Sequence, residues 1–129
     1  MSTTDRTLPA KSDPLFLKYC QDRADGKVGA PRLPEHPDQL HHILRKGDGH
    51  LEDTPVNRKR LTDLAADPEK FIGTDRFGNF WHAEILEDGT QLWVKYRSNG
   101  VINDGGLNQI PRNCDKEHGL NNFNPFSRR

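Results

Sequence analysis

Between residues 41 and 60 the chain gathers three of its six histidines and five of its nineteen basic side chains. Imidazoles exchange protons near neutral pH, and guanidinium groups hold phosphoryl oxygens. His42 and His50 are therefore the candidate acid–base pair, and Arg58, Lys95 and Arg97 the candidate phosphate cations. Such a set suits cleavage of RNA without a metal. The 2′-hydroxyl attacks the adjacent phosphorus and the 5′-oxygen leaves. One group takes a proton, another gives one, and cations hold the phosphorane oxygens. The same residues also make an ordinary solvated surface, so the elements that position them decide the matter.

Thr54 followed by Pro55 is a helix start, with a hydroxyl cap and a proline at the first position. The spacing predicts a helix over 55–66 that ends before Pro68, with Val56, Leu61, Leu64 and Ala65 on its inner side. Its N-terminal N–H groups would face the loop that carries His50, and helix N-termini attract phosphate. Before that loop, Asp38 should cap a short helix reaching about Lys46, with Leu40, Ile43 and Leu44 inward. Gly47 and Gly49 then let the chain fold back, so that His42 and His50 come within one phosphate's reach of each other.

Upstream, residues 1–13 are polar and read as disordered. A helix is expected over 14–25, with Leu15, Phe16, Tyr19 and Cys20 on one face, then an extended proline-rich linker over 29–37. Downstream, the pattern changes to short strands: a weak one at 71–75, then 80–86, 91–97, 101–103 and a short one at 107–111. Asp88-Gly89 and Asn99-Gly100 mark tight turns. Asp104-Gly105-Gly106 reads as a break. Along 91–97, Leu92, Val94 and Tyr96 share one face. Trp93, Lys95 and Arg97 share the other, where Trp93 could stack on a base. The whole is an α+β domain, helices packed on a small antiparallel sheet.

Nineteen acidic residues balance the nineteen basic ones, so the distribution of charge matters more than its total. Residues 41–60 and 93–129 carry a basic excess around an acidic block at 61–92. Joined in space, the two basic blocks would form one cationic face. Cys20 and Cys114 make neither a disulfide framework nor a metal cluster and read as free thiols. Residues 1–12 lack a signal-peptide pattern, no stretch approaches membrane-spanning length, and no phosphate-binding glycine motif is present.

A second chemistry has some footing. His41-His42, then glycine, then Asn57 resembles the His-Asn-His metal nucleases, although a helix start stands where that motif has a hairpin. A third reading is a non-catalytic module that binds RNA or protein.

A longer string of spaced motifs favours the first chemistry. It runs His42-Ile43, Gly49-His50-Leu51, Asp53-Thr54-Pro55, Asn57-Arg58, Asp75-Arg76-Phe77-Gly78-Asn79 with Trp81, and Asp88-Gly89-Thr90-Gln91 with Trp93. It continues through Asn99-Gly100, Ile102, Gly106, Asn108 and Pro111-Arg112. This string resembles the C-terminal toxin domains of contact-dependent growth inhibition proteins, in the transfer-RNA-cleaving group with the barnase/EndoU/colicin/RelE type of fold. The resemblance covers about residues 41–113. It implies N-terminal helices on an antiparallel sheet with RNA between them, delivery by a larger secreted protein, and action in the cytoplasm of a neighbouring bacterium. It also implies a dedicated immunity protein, a monomer when free, and no cofactor or metal. The catalytic candidates are then His42, His50, Arg58, Lys95 and Arg97, joined by Asn108. His41, Lys59, Arg60, Trp93 and Arg112 are the substrate-binding candidates. His82 after Trp81 departs from the family's pattern, and residues 1–40 match no part of it. The expected division is a tail, helix and linker over 1–37, a ribonuclease domain over 38–113, and a loosely held tail over 114–129.

Overall fold

Each helix opens on a proline preceded by a side chain that accepts a backbone N–H. The computed structural model describes residues 13–120, so the expectations for the first twelve and last nine residues lie outside it. Helix α1 (Pro14–Ala24) is capped by Asp13, α2 (Pro37–Ile43) by the His36 ring, and α3 (Pro55–Ala66) by Thr54. Strands β1 (Phe71–Thr74), β2 (Phe80–Ile85), β3 (Gln91–Tyr96) and β4 (Ile102–Asn108) follow. They form one antiparallel sheet in chain order. This is the α+β architecture, with the helices packed against the sheet. No helix among the described residues is long and apolar enough to cross a membrane.

Alternation along the strands divides the sheet into two faces. Leu92, Val94 and Tyr96 of β3 face the helices and join Leu61, Leu64, Ala65, Ile43 and Phe71 in the main core. Tyr19 of α1 belongs to the same core, stacked on Phe71 with ring centroids 4.0 Å apart. The opposite face holds a second cluster, in which Trp81, Trp93, Ile72 and Ala83 pack with Leu120. Leu120 is 2% exposed and Cys114 packs on the same cluster, so the described start of the tail is anchored to the sheet at those two points while 116–118 stay exposed. Gly119 lies so close to the Trp81 indole that a Cβ there would overlap the ring.

Three local readings change. The Asp104-Gly105-Gly106 break does not occur, and β4 runs straight through it. Its glycines serve close approach instead. A Cβ on Gly105 would press on the Leu61 methyls at 3.1 Å, and one on Gly106 would overlap the Gly49 carbonyl oxygen. Helix α2 is capped by His36, not Asp38, and ends at Ile43 rather than near Lys46. Leu44 leaves the helix to bridge Leu51 in parallel, and both side chains are buried. Val56, expected inward on α3, is 68% exposed, because it sits on the first turn beyond the sheet-facing stripe of Leu61, Leu64 and Ala65.

Candidate active site

The expected site residues gather mainly around β3 and β4. Cross-strand pairing puts Trp81, Lys95 and Asp104 in one row of the second face. Ala83, Trp93 and Gly106 make the next row, and Ile85, Gln91 and Asn108 the third. His42, at the end of α2, reaches the first row: its Nε2 lies 3.8 Å from the Asp104 carboxylate. The imidazole is 61% exposed while Asp104 is largely covered, so a fixed carboxylate sits behind an accessible ring. Lys95 lies over the Trp81 indole, its ammonium 5.2 Å from the ring centroid.

His50 reaches the same strand by another route. The turn over 47–50 runs beside β4, where the Leu107 N–H donates to the Gly49 carbonyl at 3.2 Å. The His50 ring is held by Arg45, whose guanidinium stands 3.0 Å from Nε2. A guanidinium can only donate, so Nε2 is the acceptor and the proton of the neutral ring sits on Nδ1. That Nδ1 is buried without a partner among the described residues. The Trp93 indole N–H is in the same condition, 3.3 Å from where a Gly106 Cβ would stand.

Other candidates are committed elsewhere. Trp93 is 7% exposed and stacked on Trp81 at 5.5 Å, so its ring is a packing element and not an open platform for a base. Asn108 is buried and donates to the Gln91 side-chain oxygen at 2.9 Å. Gln91 also receives the Arg112 backbone N–H and donates to the Arg112 carbonyl, which ties the chain after β4 to the sheet. The Arg112 guanidinium is turned to the Leu120 carbonyl. Arg97 lies past the end of β3 and donates to the Phe77 carbonyl at 3.3 Å.

On α3 the three basic residues are each engaged locally. Arg58 forms a two-pronged pair with Asp53 at 2.6 and 2.8 Å. Its hydrogen bond holds the exposed Asp53 carboxyl below the usual carboxylate range. Lys59 pairs with Asp63, and Arg60 donates to Asn57. Lys46 also pairs with Glu52. His41 is exposed on a cleft of about 580 Å³ between the end of α2 and the segment that leads into α3, lined also by Arg45, Lys46 and Thr54. The two basic blocks do meet along β4, but carboxylates from the same segments offset much of their charge.

Sequence reasoning passed over the partners of both histidines. Asp104 was hidden in an apparent turn, and Arg45 was counted only as charge. It also gave no role to His82, which is fully buried. Its Nδ1 donates to the Asp67 carbonyl at 3.0 Å, while its Nε2 faces the hydroxyls of Tyr19 and Tyr96. The two hydroxyls are hydrogen-bonded to each other, and Arg23 donates to Tyr19 at 2.9 Å. Burial pushes the His82 ring down to about 3, so it is neutral throughout the physiological range. The network closes a polar hole in the core and offers no surface to a substrate.

The His-Asn-His arrangement finds little support. Asn57 donates to the Glu52 carbonyl at the start of α3, and the segment between the histidine doublet and Asn57 forms no hairpin of paired strands. Among the described residues no group of three or more His, Cys, Asp or Glu side chains is placed to share a metal ion. In comparisons with family models, with curated proteins and with solved structures, nothing matched this chain.

Proposed function

We propose that this chain is a metal-independent endoribonuclease of the growth-inhibition toxin type, cleaving transfer RNA in the cytoplasm of a competing bacterium. The observation that most supports the reading is that two differently supported histidines come to β4 from separate segments. His42 arrives through Asp104 and His50 through the Gly49–Leu107 backbone contact.

In the mechanism, one imidazole takes the proton of the 2′-hydroxyl as its oxygen attacks phosphorus. The other gives a proton to the departing 5′-oxygen. Asp104 stands 3.8 Å behind the His42 ring, and His50 exchanges a proton at Nε2 only once phosphate draws the Arg45 guanidinium away from it. Lys95, in the same row as Asp104, is the nearest sheet cation for the phosphorane. Arg58 joins only if phosphate displaces Asp53. The motif string over residues 41–113 supports the toxin class, delivery by a larger protein and an immunity partner.

The test is cleavage of total transfer RNA by purified protein in excess chelator, followed by mapping of the ends. Products ending in 2′,3′-cyclic phosphate are expected. Replacing His42 or His50 with alanine should lower the rate about 10²–10⁴-fold while leaving the fold intact. Wild-type rates in both variants would move the chemistry away from the histidines, and strict dependence on a divalent ion would favour the metal nuclease.

A further inference from the structure

Beside His42, between α2 and the start of β4, lies a cleft of about 330 Å³. That volume falls at the lower end of the roughly 300–1,000 Å³ common for small-ligand sites. Pro34, Ile43 and Val101 give it apolar walls, while Asp38, Gln39 and Asn103 place polar groups on its rim. Among the described residues neither the Asp38 carboxylate nor the Gln39 amide has a hydrogen-bond or ion-pair partner. Asn103 spends its amide N–H on Asn79 at 2.8 Å, which leaves its carbonyl oxygen available. His42 itself lines the cleft. An apolar cleft rimmed by exposed hydrogen-bonding groups and bordered by His42 suits a nucleobase attached to the reacting phosphate.

We propose that this cleft is the base-recognition pocket, and that Asp38 and Gln39 select guanine in the strand that is cut. The inference rests on the ribonuclease reading and adds its specificity. Guanine is the base whose pairing edge presents two adjacent N–H donors, N1–H and the N2 amino group, which one carboxylate accepts together. Its O6 is an acceptor for the Gln39 amide N–H. Adenine and cytosine each offer a single amino group there, beside a ring nitrogen that would meet the carboxylate lone pairs. Uracil offers one N–H between two carbonyl oxygens. The apolar walls take the ring faces, and the sugar and phosphate leave the slot toward His42.

The experiment uses the full chain in chelator, titrated with the 3′-monophosphates of guanosine, adenosine, cytidine and uridine. Backbone amide resonances at 38–43 and 101–103 report the site. Guanosine 3′-monophosphate should bind about tenfold or more tightly than the other three, since a two-pronged polar contact discriminates by about that factor or better. Asp38→Asn and Asp38→Ala should each remove the preference without weakening the other nucleotides, and Gln39→Ala should reduce it. Equal binding of all four, or an undiminished guanine preference in both Asp38 variants, overturns the proposal. Cleavage separates this outcome from failure of the ribonuclease reading. RNA cut with no preference for guanine at the broken bond sinks the pocket and leaves the enzyme. Selective guanine binding at these resonances, with no RNA cut, keeps the pocket and sinks the enzyme.

Discussion

Asp75 gives the most quantitative test of how the second sheet face is built. Its carboxylate, in a residue 7% exposed, accepts the backbone N–H of Phe77 and Asn79 on one oxygen. The other oxygen accepts the Asn79 amide at 2.9 Å and the Trp81 indole at 2.8 Å. Burial alone would raise this acid. The hydrogen bonds from Asn79, Trp81 and Phe77 outweigh it and hold the carboxyl below its ordinary range. In Asp75→Ala the Phe77 N–H can turn to water, but the Asn79 and Trp81 donors belong to residues only 3% and 0% exposed. Each orphaned buried donor costs about 1–3 kcal/mol, so the three from Asn79 and Trp81 should together cost about 3–9 kcal/mol. Against a typical domain stability of about 5–15 kcal/mol, that is a large share. Urea unfolding followed by tryptophan fluorescence measures it, with a midpoint lowered by about 1.5–4.5 M if the slope is about 2 kcal/mol/M. The sign with pH follows from the lowered acid. Its stabilisation is complete above the unfolded-state value near ~3.9 and is lost as pH falls through the folded-state value. The variant should therefore lose less stability than wild type below pH ~4. A cost under about 1 kcal/mol, less than one orphaned donor, would refute the account.

Further outcomes follow from neighbouring features. His82 is neutral in the fold down to about 3, while the unfolded ring protonates near ~6.5. Its share of stability is therefore full above that value and declines by about 1.4 kcal/mol per pH unit on acidification; His82→Gln should flatten this part of the pH profile while lowering stability at neutral pH. Because the Trp93 indole N–H has no partner among the described residues, Trp93→Phe should leave the melting temperature unchanged or raise it, whereas Trp81→Phe, which strips Asp75 of a donor, should lower it. Gly106→Ala should push the 47–50 turn off β4 and reduce RNA cleavage about 10²-fold, the scale of a small misplacement of a reacting group, with circular dichroism unchanged. Binding of an immunity protein from a neighbouring gene should weaken as salt rises if it covers the basic segments along β4; affinity indifferent to salt would argue against charge mimicry.

The legible parts of this chain were those governed by local rules. The proline-led helix starts, the Asp-Gly and Asn-Gly turns and the alternation along β3 placed most elements and assigned Leu92, Val94 and Tyr96 to the helix side. What failed was decided by contacts distant in sequence. Gly105 and Gly106 look like punctuation until Leu61 and the Gly49 carbonyl stand against them. Trp93 looks like an exposed platform until Trp81 and Leu120 cover its face. The candidate site followed the same division. Histidines 42 and 50 could be picked by type, but their supports, Asp104 and Arg45, depend on how α2 meets β4 and on which way the 45–50 segment folds.

The bracing of β4 governs how other chains can approach the molecule. β4 is an outer strand of the sheet, yet its backbone is occupied near both ends by segments that come earlier in the chain. Near its start, the Ile102 N–H donates to the Arg32 carbonyl at 2.8 Å, and Arg32 donates to Gly100 at 2.9 Å. Near its other end Leu107 donates to Gly49. A bare outer strand invites another strand to pair with it, in aggregation or in recognition by strand addition. Here a newcomer would first have to peel away either the 29–32 segment or the turn next to His50. A protein that silences this molecule at β4 must therefore recognise side chains such as His42 and Asp38, and cannot simply extend the sheet.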